Sequence, residues 1–392
     1  MSTSLQSVEF GWYIPTTGDG KYIGAELERE PTAEYMIKVA QAAEDAGYTF
    51  ALIPTGGGCL DAWIVGTAIA THTKILRPLV AIRPGLISPI TAARMATTLD
   101  YISGGRAAIN VVTGGTPPDL VAMGDPLAHD HDERYERTLE FMNIVKNAWI
   151  HSNAHTSKYL AANENYRDID KVHFKGKHYR IEGGASYPPP VQKPYPPIYF
   201  GGSSVAGKRT AVEIADVYLM WPEPLGWIEE QIAEVEHIRQ ELKQEKGSNR
   251  RLRYGLRAQV LVRETEAEAW TAAWEIISKV DKKAIEQSEV RFNQTDAVGQ
   301  RRQNRLRSES EENGYLIAPN LWAGLSIVRG GGAMMLVGTP EQVADRIVEY
   351  ADVGISSFIL SGYPNLEEAH ITGDLLLPVV KRKLSQRKIS IV

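Results

Sequence analysis

Pro197-Ile198-Tyr199-Phe200-Gly201-Gly202-Ser203-Ser204, with Val205-Ala206-Gly207-Lys208-Arg209-Thr210-Ala211 behind it, is the stretch from which the fold can be read. An apolar, aromatic run stops at two glycines, and two hydroxyl residues then open a helix-like segment. Glycine lets the backbone come close to a ligand, and a serine oxygen can cap the first turn of a helix. The free N–H groups and positive dipole end of such a helix form an anion site, most often for phosphate. The same letters also describe an ordinary strand-to-helix turn with a serine cap, so the surrounding pattern has to decide.

Downstream, Asp216 to Met220 reads as a strand, Trp227 to Lys246 as a helix, Tyr254 to Val262 as a long strand and Glu264 to Ser278 as a helix. Thr339-Pro340-Glu341 starts a helix to Tyr350, Gly354 stops it, Ser357 to Leu360 is a last strand, and a final helix leads to a basic tail. Upstream the alternation is the same. Strands are expected at Val8 to Ile14, Thr49 to Ile53, Leu76 to Ile82 and Arg106 to Val112. Helices are expected over Thr32 to Ala46, from about Asp61, over Ser88 to Ile102 and over Glu133 to Ile150, with Gly47 as a C-terminal stop. Gly18, Gly20 and Gly24 imitate a dinucleotide fingerprint, but Pro31 interrupts where a helix would have to open, so a Rossmann fold is rejected. Short strands, apolar on both faces and each followed by a helix, predict a parallel sheet covered on both sides. The expected fold is α/β, a (β/α)8 TIM barrel spanning residues 1–392 as one domain, with insertions at about 151–196 and 279–333. A doubly wound open sheet is the alternative.

A composition of 43% hydrophobic and 23% charged residues with net charge −5 is that of an ordinary globular protein, and it argues against nucleic acid as a main partner. No apolar run approaches the ~20 residues of a membrane helix. The first residues have neither the basic start nor the apolar middle of a signal peptide, so a cytoplasmic protein is expected. Cys59 is the only cysteine, which excludes an intrachain disulfide and a cysteine-built metal site. Among the histidines only His151 and His155 have zinc-pair spacing, in a Tyr- and Pro-rich segment, and no metal is expected.

In a barrel the loops after the strands build the active site. The residues falling there are Thr16, Thr17, Thr55, Cys59, Arg83, Asn110, Thr113, Ser203, Ser204, Trp221, Arg257, Gln259 and Tyr363. Arg257 and Gln259 lie two apart on one strand and share a face, and strand parity decides whether that face is the barrel interior. An unpaired buried guanidinium is costly, so an interior arginine calls for an anion or an internal carboxylate. Ser203-Ser204 lacks a G-x-S-x-G elbow, which argues against a serine hydrolase. A phosphate cradle, a cationic pocket and aromatic walls suit a bound cofactor that carries its own chemistry.

Several longer words then carry a resemblance: Ile53-Pro54-Thr55-Gly56-Gly57-Gly58-Cys59-Leu60-Asp61-Ala62-Trp63, Asn110-Val111-Val112-Thr113-Gly114, Asp130-His131-Asp132-Glu133-Arg134-Tyr135-Glu136 and Tyr199 to Ser204. Pro319-Asn320-Leu321-Trp322-Ala323-Gly324, Val328-Arg329-Gly330-Gly331 and Leu360-Ser361-Gly362-Tyr363-Pro364 follow in the same order. Through nearly its whole length the chain resembles the bacterial luciferase-like flavin monooxygenases, and within them the alkanesulfonate monooxygenases. The resemblance implies reduced FMN (FMNH2) supplied by a separate NAD(P)H:FMN reductase, molecular oxygen as co-substrate, and an organosulfonate cleaved at its C–S bond to an aldehyde and sulfite. It also implies that Gly202, Ser203, Ser204 and Tyr135 hold the phosphate end, with Asn110, Thr113 and His131 near the flavin. Trp221, Arg257, Arg329 and Tyr363 match substrate-side positions, with Arg257 and Tyr363 also catalytic, Cys59 matches the family's active-site cysteine, and Thr17 and Gln259 stand at a substrate-side and a catalytic position. A homodimer or homotetramer is expected.

Three departures stand out: Thr17, Gln259 and Asn365 occupy places where the family commonly has histidine. Hydrogen bonding survives those changes, but the obvious proton-transfer side chains do not. A functionalised or bulkier sulfonate, or another flavin oxygenation, would accommodate that loss. A deazaflavin (F420)-dependent oxidoreductase on the same barrel and a non-catalytic flavin-binding protein are the alternatives. Lys279 to Met334, polar at first and ending in Arg329-Gly330-Gly331-Gly332, is expected to be a mobile lid, with a packed insertion as the alternative.

Overall fold

Short strands that are apolar on both faces belong between a filled interior and a shell of helices, and the chain folds that way. The computed structural model describes residues 7–153, 171–247, 250–387 and 389–391. In chain order the strands are β1 (Ser7–Tyr13), β2 (Phe50–Ile53), β3 (Arg77–Ile82), β4 (Ala108–Val111), β5 (Val172–Lys175), β6 (Arg180–Gly184) and β7 (Ile198–Gly201). They continue with β8 (Val217–Met220), β9 (Arg253–Val262), β10 (Leu316–Ala318), β11 (Leu321–Trp322), β12 (Met335–Gly338), β13 (Ile355–Ser361) and β14 (Ser390–Ile391). Strands β1, β2, β3, β4, β7, β8, β9 and β13 pair in that order, all parallel. Pairing of β13 with β1 closes the (β/α)8 barrel.

Parity fills the interior. Phe50, Leu52, Leu79, Ala108, Tyr199, Val217 and Ile359 point inward and pack with Tyr13 and Leu219. Gly11 makes room for that packing, since a Cβ there would lie 2.4 Å from the Phe50 ring. At the N-terminal floor, Glu9 accepts from Tyr199 (2.7 Å), Arg253 (2.8 Å) and Arg77 (3.2 Å). Burial opposes its ionisation, but these donors outweigh burial and hold the carboxyl below its usual value.

The helices are α1 (Ala33–Asp45), α2 (Ala62–His72), α3 (Pro89–Ile102), α4 (Pro117–Ala122), α5 (His131–Asn153), α6 (Val205–Ile214) and α7 (Leu225–Lys246). After them come α8 (Glu266–Ile276), α9 (Lys282–Asn293), α10 (Val298–Ser310), α11 (Pro340–Asp352), α12 (Asn365–Leu375) and α13 (Leu377–Gln386). Their starts follow capping chemistry. Thr32, Asp61, Ser204, Thr265 and Thr339 each accept the N–H three residues on, the last two within full capping boxes.

The first insertion contains the β5–β6 hairpin, anchored to α5 because Glu140 accepts from the N–H groups of Lys177, His178 and Tyr179. The second departs from the expected loop. It is largely helical (α9 and α10), and it ends in an antiparallel β10–β11–β12 excursion that the sequence reading missed. Strand β12 pairs in parallel with the far end of β9, Met335 opposite Gln259, which explains why β9 is longer than its neighbours. The single final helix becomes two, α12 and α13, followed by β14 against β1. His155, half of the zinc-like pair, lies outside the described residues.

Candidate active site

Two cavities open at the C-terminal ends of the barrel strands. The first, about 260 Å³, is lined by Asn110 to Gly115 after β4, Tyr135, Gly201 to Ser203 after β7, Trp221, Arg257 and the insertion residues Ala297 to Gly299. The second, about 340 Å³, is lined by Tyr13, Thr17, Asp19, Arg291, Arg329, Ser361, Tyr363 and Asn365 among others. A smaller one of about 230 Å³ adjoins them, sharing Trp221 and Ala297 with the first.

The turn after β7 is tightly built. A Cβ on Gly202 would lie 3.0 Å from the Tyr135 hydroxyl, and one on Gly207 would lie 2.8 Å from the Gly202 carbonyl. Helix α6 therefore starts pressed against the strand end. Ser204 Oγ accepts from Gly207 N–H at 3.1 Å and so caps α6. Ser203 lines the cavity. The turn therefore presents a capped helix N-terminus with Ser203 beside it, the arrangement that suits an anion.

Strand parity places Arg257 inward, between the two cavities. It is 6% exposed, and its guanidinium lies 4.8 Å over the Tyr13 ring. Nη1 donates to the Ala258 carbonyl (2.8 Å) and Nη2 to Ser361 Oγ (2.9 Å). Burial, with the Arg329 charge added, pushes Arg257 down to about 9. Arg329 donates from Nε to the Tyr363 hydroxyl (2.5 Å) and from Nη1 to the carbonyls of Gly330 and Gly331 (3.0 and 2.6 Å). Neither arginine is ion-paired with a carboxylate among the described residues. Burial also raises the Tyr13 hydroxyl to about 12.

Other expected site residues border these cavities without lining them, His131 packing on Tyr135 of the first and Cys59 lying close enough to Tyr13 of the second to act on its hydroxyl. Gln259 shares the inward face of β9 but is fully buried, accepting from Ser361 Oγ (2.5 Å) and donating to the Gly332 carbonyl (3.2 Å). It holds Ser361, which in turn holds Arg257. Cys59 sits in the β2–α2 loop beside Arg83, lining neither cavity. His131, at the start of α5, pairs with Asp132 (2.6 Å) and packs edge-on against Tyr135 with ring centres 5.0 Å apart. A group of potential metal ligands missed in the sequence, Glu133, Glu136 and His178, gathers within 4.8 Å, with Lys177 Nζ shared between the two carboxylates.

Asp19 was also missed. It is 3% exposed and accepts from Tyr35 OH, Gly20 N–H and Asn365, while burial raises its carboxyl. Its position between two glycines just past β1 was the available signal. Among the described residues no helix is long and apolar enough to cross a membrane.

A parallel barrel with an anion-type helix start and two carboxylate-free arginines at its C-terminal face defines a class of cofactor-using barrel enzyme. The family described as luciferase-like monooxygenase matches residues 8–357, and the chain belongs to it. Its fold is similar to EDTA monooxygenase from Chelativorans sp. BNC1 (18% identity, 96% of this chain and 94% of that one, TM-score 0.74). It is similar also to a riboflavin lyase solved with modified FMN and riboflavin (20%, 98% and 92%, TM-score 0.70). An F420-dependent secondary alcohol dehydrogenase in complex with an F420–acetone adduct shares the fold too (15%, 95% and 99%, TM-score 0.61).

Proposed function

We propose that this chain is an FMNH2-dependent monooxygenase that uses O2 to cleave the C–S bond of an organosulfonate. The observation that carries this reading is the pair Arg257 and Arg329, two cations at adjoining cavities with only carbonyl and hydroxyl partners. A sulfonate remains anionic across the working pH range and offers three acceptor oxygens to planar guanidinium forks. The first cavity fits FMN chemically: a helix start and Ser203 for the phosphate, and Asn110, Thr113, Leu219 and Ile359 along the walls. Bound reduced FMN would supply two electrons to O2, one oxygen atom ending in the aldehyde and the other in water, with sulfite as the leaving group. The protein's part is to hold the sulfonate, orient it beside the flavin site and keep water out with the α10 start. An NAD(P)H:FMN reductase as electron donor, a homodimeric or homotetrameric assembly and a cytoplasmic setting belong to the same reading.

The protein incubated with FMN, NAD(P)H, an FMN reductase, O2 and a panel of sulfonates is expected to release sulfite. Absence of sulfite with every member, together with tight binding of deazaflavin in place of FMN, would favour the hydride-transfer reading that the F420-dependent relative supports.

The serines are expected to separate. Ser203→Ala should weaken FMN about tenfold, the size of one charge-assisted hydrogen bond, and leave riboflavin unchanged. Ser204→Ala should cost about 1 kcal/mol of stability through the lost cap and affect both flavins alike. Titration of the two variants with both flavins checks this, and equal losses for FMN and riboflavin in Ser203→Ala would remove the phosphate role.

A pH dependence follows from Arg257. The sulfonate-bound form needs its charge, and free Arg257 loses its proton near 9. Affinity should therefore be flat below about pH 9 and fall about tenfold per pH unit above it, with proton uptake on binding. A calorimetric titration at several pH values reads both quantities. Affinity unchanged up to pH 10.5 would mean that Arg257 either keeps its proton throughout or does not meet the anion, which the lysine variant separates.

A further inference from the structure

The second cavity is rich in hydrogen-bond donors and poor in free acceptors. Arg291, Arg329 and Asp19 are the charged residues of its lining among the described residues. Asp19 is already met by Gly20 N–H at 2.9 Å, the Tyr35 hydroxyl at 2.5 Å, and Asn365 through its backbone N–H at 2.7 Å and its Nδ2 at 3.2 Å. Arg291 sits beside Arg329, its Nη2 donating to the Val328 carbonyl at 2.9 Å. Arg329 spends Nε on Tyr363 and Nη1 on two carbonyls, which leaves Nη2 without a partner among the described residues. Tyr363 accepts that Nε bond and has its own O–H left to donate.

Tyr13, the last residue of β1, belongs to this set and was not foreseen in the sequence. It lines the cavity and is only partly buried. Its hydroxyl has no hydrogen-bond partner among the described residues and is not sealed off by protein atoms, so a donor stands open to a ligand. Arg329 and Arg257 are close enough to act on that hydroxyl, and the Arg257 guanidinium lies 4.8 Å over the ring. Desolvation raises the group to about 12, so it keeps its proton at working pH. An arginine fork meets two oxygens in one plane, and the third oxygen of a pyramidal sulfonate needs a donor from another direction. A planar carboxylate has no such oxygen. The charges nearby, Asp19 included, act alike on either monoanion, so they set affinity and leave this choice to the donors. We propose that Tyr13 is a specificity-determining residue: its hydroxyl donates to the third oxygen of the bound head group, so that the site favours a sulfonate over a carboxylate on the same carbon chain. This rests on the sulfonate reading above.

The test measures dissociation constants for ligand pairs matched in their carbon chain, on the full protein loaded with reduced FMN in the absence of oxygen. Ethanesulfonate is set against propanoate, butane-1-sulfonate against pentanoate, and hexane-1-sulfonate against heptanoate. In at least one pair the sulfonate is expected to bind about tenfold more tightly than its carboxylate. Tyr13→Phe should erase that preference, weakening the sulfonate about tenfold and leaving the carboxylate within about twofold. Phenylalanine keeps the ring beneath Arg257, and unchanged FMN affinity reports that the site is intact. The wild-type comparison needs no variant: a carboxylate bound as tightly as the sulfonate in every pair would overturn the inference. So would a preference that survives Tyr13→Phe, or equal losses for both ligands, which would give the hydroxyl a role in shaping the cavity alone. Sulfite release keeps the two readings apart. Turnover by the wild type alongside any of these failures leaves the sulfonate reading standing, whereas neither binding of nor sulfite from any of the three sulfonates would take down both.

Discussion

Arg257→Lys is expected to keep the fold and bind FMN normally, yet lose sulfite release by about a hundredfold or more in kcat/KM. The guanidinium is positioned by three things at once: the Tyr13 ring beneath it, the Ala258 carbonyl and Ser361 Oγ. A lysine can satisfy at most part of this set, and it offers a point charge where a sulfonate is best met by a fork. Desolvation compounds the loss. Burial already lowers Arg257 to about 9, and lysine starts about two units lower than arginine, so a large part of it would be neutral in this site at neutral pH. Raising the assay pH cannot rescue it, whereas a retained structural role would leave turnover intact. Steady-state sulfite release, with flavin affinity measured alongside, decides the matter. A lysine variant within twofold of wild type would make Arg257 a structural element of the β9–β13 pair.

Why the barrel was legible and parts of its site were not comes down to local versus long-range information. The barrel strands are short apolar segments bounded by helix caps, and each can be recognised from its own residues: Asp61, Ser88, Ser204 and Thr339 mark helix starts within a few positions. Arg257 was placed by parity alone, because side chains two apart share a face. Gln259 satisfied the same rule, but its burial depends on Gly332 and Ser361, which arrive from other parts of the chain. Strand β12, Met335 to Gly338, was missed because it is only four residues long and half of its pairing comes from β9, far earlier in the chain. Asp19 and Asn365 are separated by 346 positions, and no spacing rule could have joined them. Ser204 is the subtler case. Its letter suits both a ligand contact and a cap; the Gly207 contact shows the cap, and the accepting oxygen keeps its own O–H to donate to a ligand.

Asp296→Ala is expected to release the insertion that covers the first cavity, and to do so without touching either arginine. The α9–α10 connection is pinned to the barrel at several points. Asp296 pairs with Arg134, whose side chain is fully buried, and Asp296 N–H and Thr295 Oγ1 both donate to the Gly115 carbonyl. Farther along α10, Arg302 forks onto Glu223 at 2.8 and 2.6 Å, and Gln300 accepts from Gly331 N–H at 2.8 Å. These contacts hold Ala297 to Gly299 over the cavity. Removing the Asp296 carboxylate leaves the buried Arg134 with only the carbonyls of Leu127 and Ala128. Breaking a buried pair in this way costs about 3 kcal/mol, the lower end of the usual range because Asp296 keeps some contact with solvent. If α10 opens as a unit, that energy raises the open population about a hundredfold. Trypsin cleaves after arginine, and Arg301, Arg302, Arg305 and Arg307 all lie within α10, where the helix must unfold before it can be cut. Cleavage there should be slow in the wild type, slower still with FMN and a sulfonate bound, and faster by up to about two orders of magnitude in Asp296→Ala. Flavin affinity should fall in parallel while thermal unfolding of the barrel shifts little. Equal cleavage rates in variant and wild type, with or without ligands, would show that the insertion is a fixed part of the barrel wall and does not act as a lid.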